Sequence, residues 1–343
     1  MRTAGRASLS DVAALAGVSV KTVSNVVNHY EHVSSAMRER VQRALDELDY
    51  RPNMSARHLR GGRSGLIALA VPELDAPYFA ELCRHVVRAA ERRGWTVLID
   101  QTDGMPERER LVIAGIRAHL IDGVIFSPLA SGAPELAVRS DSTPMVLLGE
   151  RVSGGPIDHV GIDNVAAARA AVDHLLSLGR VRVAAIGKQQ RRTAVTARLR
   201  ARGYTSALRG RGLASDAALV MQVESYHRSD GATAMAALLA LPKPPDAVFC
   251  FNDLLALGAL RTLLQAGVRV PDDVALIGFD DIEESRYSTP TLSTVRPDKA
   301  SIAETAVALL EARLDEGADT PPRGVTEPFE LVPRETTGQR ADQ

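Results

Sequence analysis

The sequence predicts an α/β protein that carries a small all-helical domain at its N-terminal end. Between residues 9 and 48, apolar residues recur at the spacing of amphipathic helices. From residue 64 onward, short β-branched apolar runs alternate with longer amphipathic stretches. Such alternation is typical of parallel sheets covered by helices, so one chain is expected to hold two different architectures.

The first helix is predicted by Val12, Leu15 and Ala16, whose spacing puts them on one side of a short helix. Ser10 stands where the N-cap of this helix is expected. Gly17 ends it, because glycine readily adopts the left-handed conformation of a tight turn.

A second helix is expected to begin near Val20, with the Ser19 side chain as its cap. Val23, Val26 and Val27 fall at helical spacing and form the predicted buried stripe. The outward face is therefore short and mostly polar. It consists of Val20, Lys21, Thr22, Ser24, Asn25 and Asn28.

A third helix, capped by Ser34, closes the predicted three-helix core with the inner stripe Met37, Val41, Ala44, Leu45 and Leu48. Two short helices joined by a glycine turn, the second with a polar outer face, form the helix-turn-helix geometry that places a recognition helix in the major groove. The same geometry also occurs in proteins that never contact DNA.

The outer face of the second helix suits contacts to bases and phosphates. Lys21 suits guanine, Asn25 suits adenine, and Val20 suits a thymine methyl group. Thr22, Ser24 and Asn28 are better placed for phosphates. The candidate DNA contacts of this domain are Ser19, Val20, Lys21, Thr22, Ser24, Asn25, Asn28 and His32.

Charge is distributed unevenly along the chain. Residues 1–64 hold ten Lys and Arg against six Asp and Glu, whereas the remaining residues hold 31 against 36. The overall charge of −1 is therefore the sum of a basic N-terminal region and an acidic remainder of the chain. A basic end is what binding to phosphates requires, so charge supports the DNA-binding interpretation.

Composition and motifs bear on other classes of protein. At 343 residues and 45% hydrophobic content, the chain can form more than one core. Its first ten residues lack the apolar segment of a signal peptide, and no apolar run is long enough to cross a bilayer, so a cytoplasmic protein is expected. The motifs GxSxG, GxxxxGK and HExxH are absent, and Cys83 and Cys250 do not form a CxxC pair. No enzyme activity, catalytic residue, cofactor or metal site is expected.

Eight strands are expected in the body, and they suit either one wide sheet or two smaller lobes. Two lobes are favoured because Asp163 and Asn164, after the charged loop 151–163, start a fresh series of strands and helices. The strands are expected to start at Leu66, Thr96, Gly123, Met145, Val183, Ala218, Ala247 and Val274. The helices expected between them include 79–93, 165–178 and 254–266.

Polar residues follow several of these strands, at the edge where open α/β sheets bind ligands. Asn252 and Asp253 follow one strand, Asp280 and Asp281 follow another, and residues 75–79 follow the first. Carboxylate and amide groups beside aromatic rings suit a polyhydroxylated ring. Aspartates after strands also commonly cap the next helix, which is the expected role of Asp253 and of Asp163.

Several motifs in the same order resemble the lac-repressor (LacI/GalR) family of bacterial regulators, and the resemblance covers essentially the whole chain. The motifs are DVAALAGVSVKTVSNVVN, HVSSAMRERVQRALDELDYRPN, SARHLRGGRSGLIALAVP, TARLRARGY, CFNDLLALGAL, VRVPDDVALIGFDD and PTLSTVRPD. The resemblance implies a homodimeric transcriptional regulator, most often a repressor, that binds a pseudo-palindromic operator in double-stranded DNA. It also implies a small-molecule effector.

The resemblance implies three parts. A helix-turn-helix domain spans 7–52, a hinge helix spans 53–63, and an effector-binding and dimerisation core spans 64–338. The core is expected to have two Rossmann-like lobes, similar to periplasmic sugar-binding proteins, with the effector in the cleft between them. The first lobe would comprise about 64–162 and 293–325, and the second about 163–292 and 326–338.

The hinge segment is too short to form an independent helix. By resemblance, DNA and the partner's hinge support it, with Asn53 as a possible cap, Ala56 near the dyad and Leu59 wedged between bases of the minor groove. The alternative is a flexible linker rich in glycine and arginine.

The resemblance also assigns effector contacts. Arg200 is expected to grip the effector, Tyr226 to stack against it, and Tyr78 or Phe79 to provide a second aromatic surface. Glu150 stands near the position where many relatives carry an aspartate after the strand. With the polar residues after the strands, the candidate effector-binding residues are Asp75, Tyr78, Phe79, Glu150, Arg200, Tyr226, Asn252 and Asp280.

A carbohydrate is the expected effector. The basic run 188–192 is also compatible with an anionic ligand, although a surface exposed to solvent is the simpler explanation for these basic residues. Two alternatives remain at this point. The protein is a solute-binding protein of the cytoplasm, or it is a regulator of the same fold that a nucleobase or nucleoside activates as corepressor.

Overall fold

The structure is a computed structural model that describes residues 7–27, 30, 32–50, 63–115, 119–139, 141–150, 155–190, 194–316 and 320–338. The chain divides into two compact units, Met1–Ser64 and Gly65–Gln343. The hinge residues Asn53, Ala56 and Leu59, as well as Asn28, lie outside the described residues.

The N-terminal unit contains three helices, α1 (Leu9–Ala16), α2 (Val20–Val27) and α3 (Ser35–Glu47). Gly17 has φ of 61°, so the predicted left-handed turn between α1 and α2 is confirmed. The buried core joins residues from all three helices, among them Val12, Val23 and Val41.

Two predictions about α1 were wrong. Ser8 caps the helix in place of Ser10, because Ser8 and Asp11 form a reciprocal pair: the Asp11 amide donates to Ser8 Oγ at 3.3 Å, and the Ser8 amide donates to the Asp11 carboxylate at 2.8 Å. Leu15 is 46% exposed, and Ala13 takes its place in the buried stripe.

The C-terminal unit contains two parallel sheets. The first has the order β11-β5-β4-β3-β1-β2, and the second has the order β7-β6-β8-β9, with strands numbered along the chain. The first sheet comprises β1 (Leu66–Val71), β2 (Thr96–Gln101), β3 (Gly123–Phe126), β4 (Met145–Leu148), β5 (Asp158–Ile162) and β11 (Gly324–Glu327). The second comprises β6 (Val183–Lys188), β7 (Val220–Gln222), β8 (Ala247–Cys250) and β9 (Ala275–Ile277).

Helices cover these sheets. They are α4 (Pro77–Glu91), α5 (Pro106–Ile113), α6 (Ala133–Ala137), α7 (Asn164–Ser177), α8 (Val195–Gly210), α9 (Arg228–Leu239), α10 (Asp253–Gln265), α11 (Glu283–Tyr287) and α12 (Lys299–Glu316). Short 3₁₀ turns occur at Ala217–Leu219 and Glu335–Thr337. Helix α4 packs against α12, α7 against α8, and α9 against α10. Among the described helices, none has the length and apolar content that a membrane span requires.

A short antiparallel pair connects the lobes. Strand β10 (Thr294–Pro297) pairs with β12 (Phe329–Val332), and both contact α7 of the second lobe. Strand β10 leads into α12, which packs on the first sheet, and β12 follows β11 of that sheet. The chain therefore passes between the lobes at this pair.

Asp281, in the loop after β9, connects the segments around the β10–β12 pair. Its carboxylate accepts hydrogen bonds from Arg296 of β10 at 2.7 Å and from Arg334 after β12 at 2.5 Å. Arg286 of α11 donates to it at 3.1 Å. These partners hold the pKa of Asp281 below its ordinary value against the opposing effect of its burial.

The prediction of two lobes built on parallel sheets is confirmed. All eight expected strands occur, but the one expected to start at Ala218 starts at Val220, because Asp216 caps a 3₁₀ turn in front of it. The predicted helix 79–93 begins earlier, at Pro77, since proline suits the first turn of a helix.

Strand β5 was not predicted, because its sequence DHVGI reads as part of a charged loop. Asp158 is nonetheless fully buried. Arg313 donates to its carboxylate at 2.7 and 3.0 Å, and the Arg323 amide donates to it at 2.7 Å. Charge pairing between residues far apart in the sequence thus allows Asp158 to be buried in this strand. The later strands β10, β11 and β12 were also missed.

Candidate functional site

The outer face of α2 presents the side chains expected to contact DNA. Val20 is 39% exposed and Lys21 is exposed, while Ser24 and Asn25 lie half-buried one helical turn further along. These four positions share one side of the helix. An aliphatic group, an ammonium, a hydroxyl and an amide therefore stand together on this face.

The Ser19 and Thr22 side chains hold the start of α2. The Thr22 amide donates to Ser19 Oγ at 3.1 Å, and the two hydroxyl oxygens lie 2.8 Å apart. The predicted cap is thereby confirmed.

The loop after α2 adds residues that the sequence reasoning missed. Tyr30 is exposed and its ring meets that of His32 edge-to-face at 5.6 Å. Arg38 of α3 donates to the Tyr30 carbonyl at 3.1 Å, and Arg40 donates to the Gly17 carbonyl at 3.3 Å. Of this loop, the sequence predicted only His32 as a DNA contact.

A cavity of 360 Å³ lies at the carboxyl ends of strands from both sheets of the C-terminal unit. This volume falls in the usual range for small-molecule sites. Its walls come from the loops after β1, β3 and β4 in the first lobe, the loops after β7, β8 and β9 in the second, and the first turns of α4 and α8. Parallel strands bring their carboxyl ends to one edge, which explains why residues distant in sequence meet here.

Seven of the eight candidate effector residues line this cavity. They are Tyr78, Phe79, Glu150, Arg200, Tyr226, Asn252 and Asp280. The structure contradicts the placement of Asp75, which is exposed and lies in a separate surface groove. The loop after β1 turns Glu73 toward the cavity and Asp75 toward solvent.

Arg200 is buried and held on several sides. Its Nε donates to Asn164 Oδ1 at 2.7 Å, and its Nη1 donates to the Phe251 carbonyl. Its Nη2 lies 3.8 Å from Asp280 Oδ1, and its guanidinium carbon lies 3.5 Å from the centre of the Phe279 ring. The protein therefore fixes the orientation of the guanidinium before any ligand binds.

Asp280 carries a perturbed carboxyl group. Burial raises its pKa to about 6, although the charges of Arg200 and Lys299 lower it; Glu81 and Glu150 raise it further. Its backbone has φ of 114°. Aspartate tolerates such a conformation better than most residues, at some cost in strain.

Aromatic rings form the apolar part of the wall. Tyr78 and Phe79 meet edge-to-face at 5.2 Å, and the Tyr226 hydroxyl donates to the Gly187 carbonyl at 3.0 Å. Burial raises the pKa of both tyrosines above the ordinary value, so both phenols are neutral at physiological pH. Flat apolar faces beside polar groups suit a ring with apolar and hydroxylated surfaces.

Asn252 both lines the cavity and caps the helix that follows it. The Asn252 side chain caps α10 by accepting from the Leu255 amide at 2.9 Å, and its amide donates to the Tyr226 carbonyl at 3.1 Å. The prediction that Asp253 caps this helix was wrong. Asp253 is fully buried and accepts hydrogen bonds from Thr294, Ser285 and the Ile282 amide at 2.7, 2.8 and 3.0 Å.

Burial, together with the nearby charge of Asp280, raises the pKa of Asp253 to about 7. Its hydrogen bonds oppose that rise. The cap expected at Asp163 is confirmed, because Asp163 accepts from the Val165 and Ala166 amides at 3.0 and 2.9 Å.

The cavity also contains polar residues that the sequence reasoning missed. The Thr196 hydroxyl of the second lobe donates to Glu150 of the first at 3.3 Å. Several others follow the same strand edge that located Asp280, so the same rule could have found them. They include Glu73, Asp103, Ser127, Gln189 and Glu224.

Behind the cavity, Lys299 connects Asp280 to α4. Its Nζ donates to the carbonyls of Asp280 and Asp281 at 2.6 and 3.0 Å, and it lies 2.7 Å from the Glu81 carboxylate. The described part of the chain contains no cluster of three or more His, Cys, Asp or Glu that could hold a metal ion.

Two family models match the chain. "Bacterial regulatory proteins, lacI family" matches residues 8–53, and "Periplasmic binding protein-like domain" matches residues 172–337. The ribose operon repressor of Escherichia coli (strain K12) is 32% identical over 90% of this chain and 93% of its own length.

Solved structures are similar over nearly the full length. The lac repressor dimer bound to operator and the anti-inducer ONPF has a TM-score of 0.83 and 28% identity, over 97% of this chain and 99% of that one. The complex of the transcriptional regulator CelR with cellobiose has a TM-score of 0.71 and 31% identity, over 96% and 100% of the two chains.

Proposed function

The chain belongs to the lacI family of bacterial regulatory proteins, and from this we propose that it is a sequence-specific DNA-binding transcriptional regulator, acting as a repressor under the control of a small-molecule effector. One observation carries the proposal. The chain that presents a polar recognition face on α2 also has a ligand-sized cavity at the strand edges of its C-terminal unit.

In the DNA-binding half of the proposal, Lys21 and Asn25 contact bases and Val20 contacts a thymine methyl group. Ser24, Asn28 and the loop residue His32 contribute further contacts, and the Ser19–Thr22 pair fixes the start of the recognition helix. The chain acts as a homodimer in the cytoplasm, with its two copies reading half-sites of a pseudo-palindromic operator. The lac repressor relative is itself a dimer on operator.

In the effector half of the proposal, the ligand is a sugar or sugar derivative. Cellobiose occupies the CelR relative. Asp280 and Glu150 accept hydrogen bonds from ligand hydroxyls, Arg200 Nη2 donates to a ligand oxygen, and the tyrosines stack on the ring. The ligand draws together a first lobe of about 64–162 and 293–325 and a second of about 163–292 and 326–338.

Two alternatives remain open to test. In the first, the C-terminal unit is a cytoplasmic solute-binding protein to which the helical unit adds no regulatory role. In the second, a nucleobase or nucleoside binds the same cavity and increases DNA affinity. The helical unit with its exposed Lys21 favours the regulator over the first alternative, because a solute-binding protein needs no such face.

The deciding experiment is selection of DNA from a randomised duplex library, followed by a gel mobility shift on the enriched sequence. We expect enrichment of a pseudo-palindrome. Lys21→Ala should weaken its binding at least about tenfold, since a good base contact is worth about 1–3 kcal/mol. Lys243→Ala removes the same charge from an exposed site on the C-terminal unit and should leave binding unchanged. Failure to enrich any sequence would favour the solute-binding alternative.

A further inference from the structure

The described lining of the effector cavity is strongly acidic. It includes the carboxylates of Glu73, Asp103, Glu150, Glu224 and Asp280. Arg200 supplies the positive charge among the described lining residues. A ligand therefore enters a concave space with an excess of negative charge, where the electrostatic field is focused.

One of these carboxylates is neutralised by a cation outside the cavity lining, because Asp103 is paired with Arg108. Glu73 lies 3.9 Å from His227, which is a cation only when it is protonated. Glu150 instead accepts a hydrogen bond from the neutral Thr196 hydroxyl, and Asp280 shares Arg200 at 3.8 Å. The acidic character of the cavity thus persists after the internal pairs are removed.

Arg200 is not free to neutralise a ligand anion. Two of its three nitrogens already donate to Asn164 and to the Phe251 carbonyl, and the third faces Asp280. Its ring contact with Phe279 prevents the guanidinium from turning outward without loss of packing. The remaining N–H groups of Nη1 and Nη2 can serve a neutral oxygen, but the positive charge is already balanced by Asp280.

The basic residues of the run 188–192 that the structure describes do not change this balance. Lys188 is exposed and lines a different surface groove, together with Arg198, Arg202 and Arg209 of α8. Gln189, which is neutral, is the member of the run that faces the cavity. Arg191 and Arg192 lie outside the described residues.

We propose that this cavity selects an uncharged, polyhydroxylated ligand and rejects phosphate esters and carboxylated sugars. The inference rests on the proposed function, because it assigns the chemical class of the effector. Hydroxyl groups can donate to Glu150 and Asp280, and the faces of Tyr78 and Tyr226 can contact the apolar side of a sugar ring. A phosphate would place a second negative group against carboxylates that no free cation in the described lining balances.

The test is a thermal-shift screen of the full-length protein with matched pairs. The pairs are ribose and ribose 5-phosphate, glucose and glucose 6-phosphate, trehalose and trehalose 6-phosphate, and adenosine and its 5′-monophosphate. Cellobiose and other neutral disaccharides extend the neutral series. Ligand binding to the folded state raises the unfolding temperature, and titration calorimetry then gives the affinity of each hit.

We expect at least one neutral member to bind and its phosphate ester to bind at least about a hundredfold more weakly, which corresponds to about 2.7 kcal/mol. An ester that binds as well as its parent would overturn the inference. So would a screen in which no neutral compound binds. The mobility shift separates the failure of this inference from the failure of the proposed function. If either overturning result occurs but the protein still binds specific DNA, the inference about the ligand is wrong and the proposed DNA-binding function stands.

A variant tests the cause of the selectivity. Glu150→Gln keeps the shape of the side chain and removes one charge from the cavity. The affinity of the ester relative to its parent should rise at least about tenfold. Glu107→Gln removes the same charge from an exposed position on α5 and should change the ratio less than about twofold. Equal effects of the two variants would refute the electrostatic explanation.

Discussion

Arg200 contacts Asn164, Phe251, Phe279 and Asp280, so its guanidinium is held by groups from several parts of the chain. The family motif predicted a ligand contact, and Arg200 does line the cavity. No sequence pattern indicates that Asn164 and the Phe251 carbonyl already occupy two of its nitrogens. Such contacts join residues far apart in the chain, so local patterns do not reveal them.

Asp280 should make stability depend on pH. Its folded-state pKa is raised to about 6 from 3.8, so folding favours the protonated form. The resulting destabilisation is absent at low pH, develops as pH rises from about 4 to 6, and is complete above 6. Asp280→Asn should therefore gain about 2 kcal/mol in unfolding free energy relative to wild type between pH 4 and pH 8.

Denaturant titration of the C-terminal unit within the full chain, followed at both pH values, measures this change. Asp272→Asn provides the control, because that carboxylate is largely exposed. A stability difference between wild type and Asp280→Asn that stays constant with pH would contradict the prediction. Any constant cost of leaving Arg200 without its partner does not affect the comparison, because only the pH-dependent part is used.

At the scale of single elements, apolar periodicity located the helices and the buried parallel strands. It failed where charge pairing or distant strand partners determine the structure. Strand β5 buries Asp158 against Arg313, and β11 pairs with β5 across more than half of the C-terminal unit. Neither feature leaves an apolar run in the sequence.

The start of α1 offers a test at this scale. Ser8→Ala removes the side-chain half of the capping box and should lower the stability of the three-helix unit by about 1 kcal/mol. Ser10→Ala changes an exposed serine inside the helix and should have little effect. Amide hydrogen exchange of α1 in the full-length protein measures both. Equal effects of the two variants would contradict the observed cap.

At the scale of the whole molecule, the sequence predicted a helical DNA-binding unit followed by two α/β lobes, and this arrangement is confirmed. The position of the cavity followed from the rule that ligands bind at strand ends. The identity of its acidic lining was predicted only in part, because loops such as the one after β1 can turn either of two carboxylates inward. Glu73 and Asp75 differ in this respect.

A division of labour between the two units is expected. Leu59→Ala should weaken specific DNA binding at least about tenfold and leave effector affinity nearly unchanged, because the predicted wedge acts on the duplex. Arg200→Ala should do the reverse. Mobility shifts and titration calorimetry on the same preparations measure both affinities, with circular dichroism to confirm folding.

Leu264→Ala, at an exposed site on α10, controls for loss of a surface leucine. Equal loss of both affinities in either Leu59→Ala or Arg200→Ala would refute the division. Because the two sites are thermodynamically linked, Arg200→Ala should also reduce the change in DNA affinity that a given concentration of effector causes.

The antiparallel pair β10–β12 limits how the two lobes can move. Its strands are hydrogen-bonded in register, Pro297 ends one and Pro328 precedes the other, and the Asp298 amide donates to the Pro328 carbonyl at 3.2 Å. Backbone hydrogen bonds therefore join two of the segments that pass between the lobes, and proline restricts the backbone at the end of each. Together with the contacts of Asp281, this pairing is expected to restrict the two lobes to rotation about one direction. We therefore expect ligands of different shape to hold the lobes at different angles about the same axis.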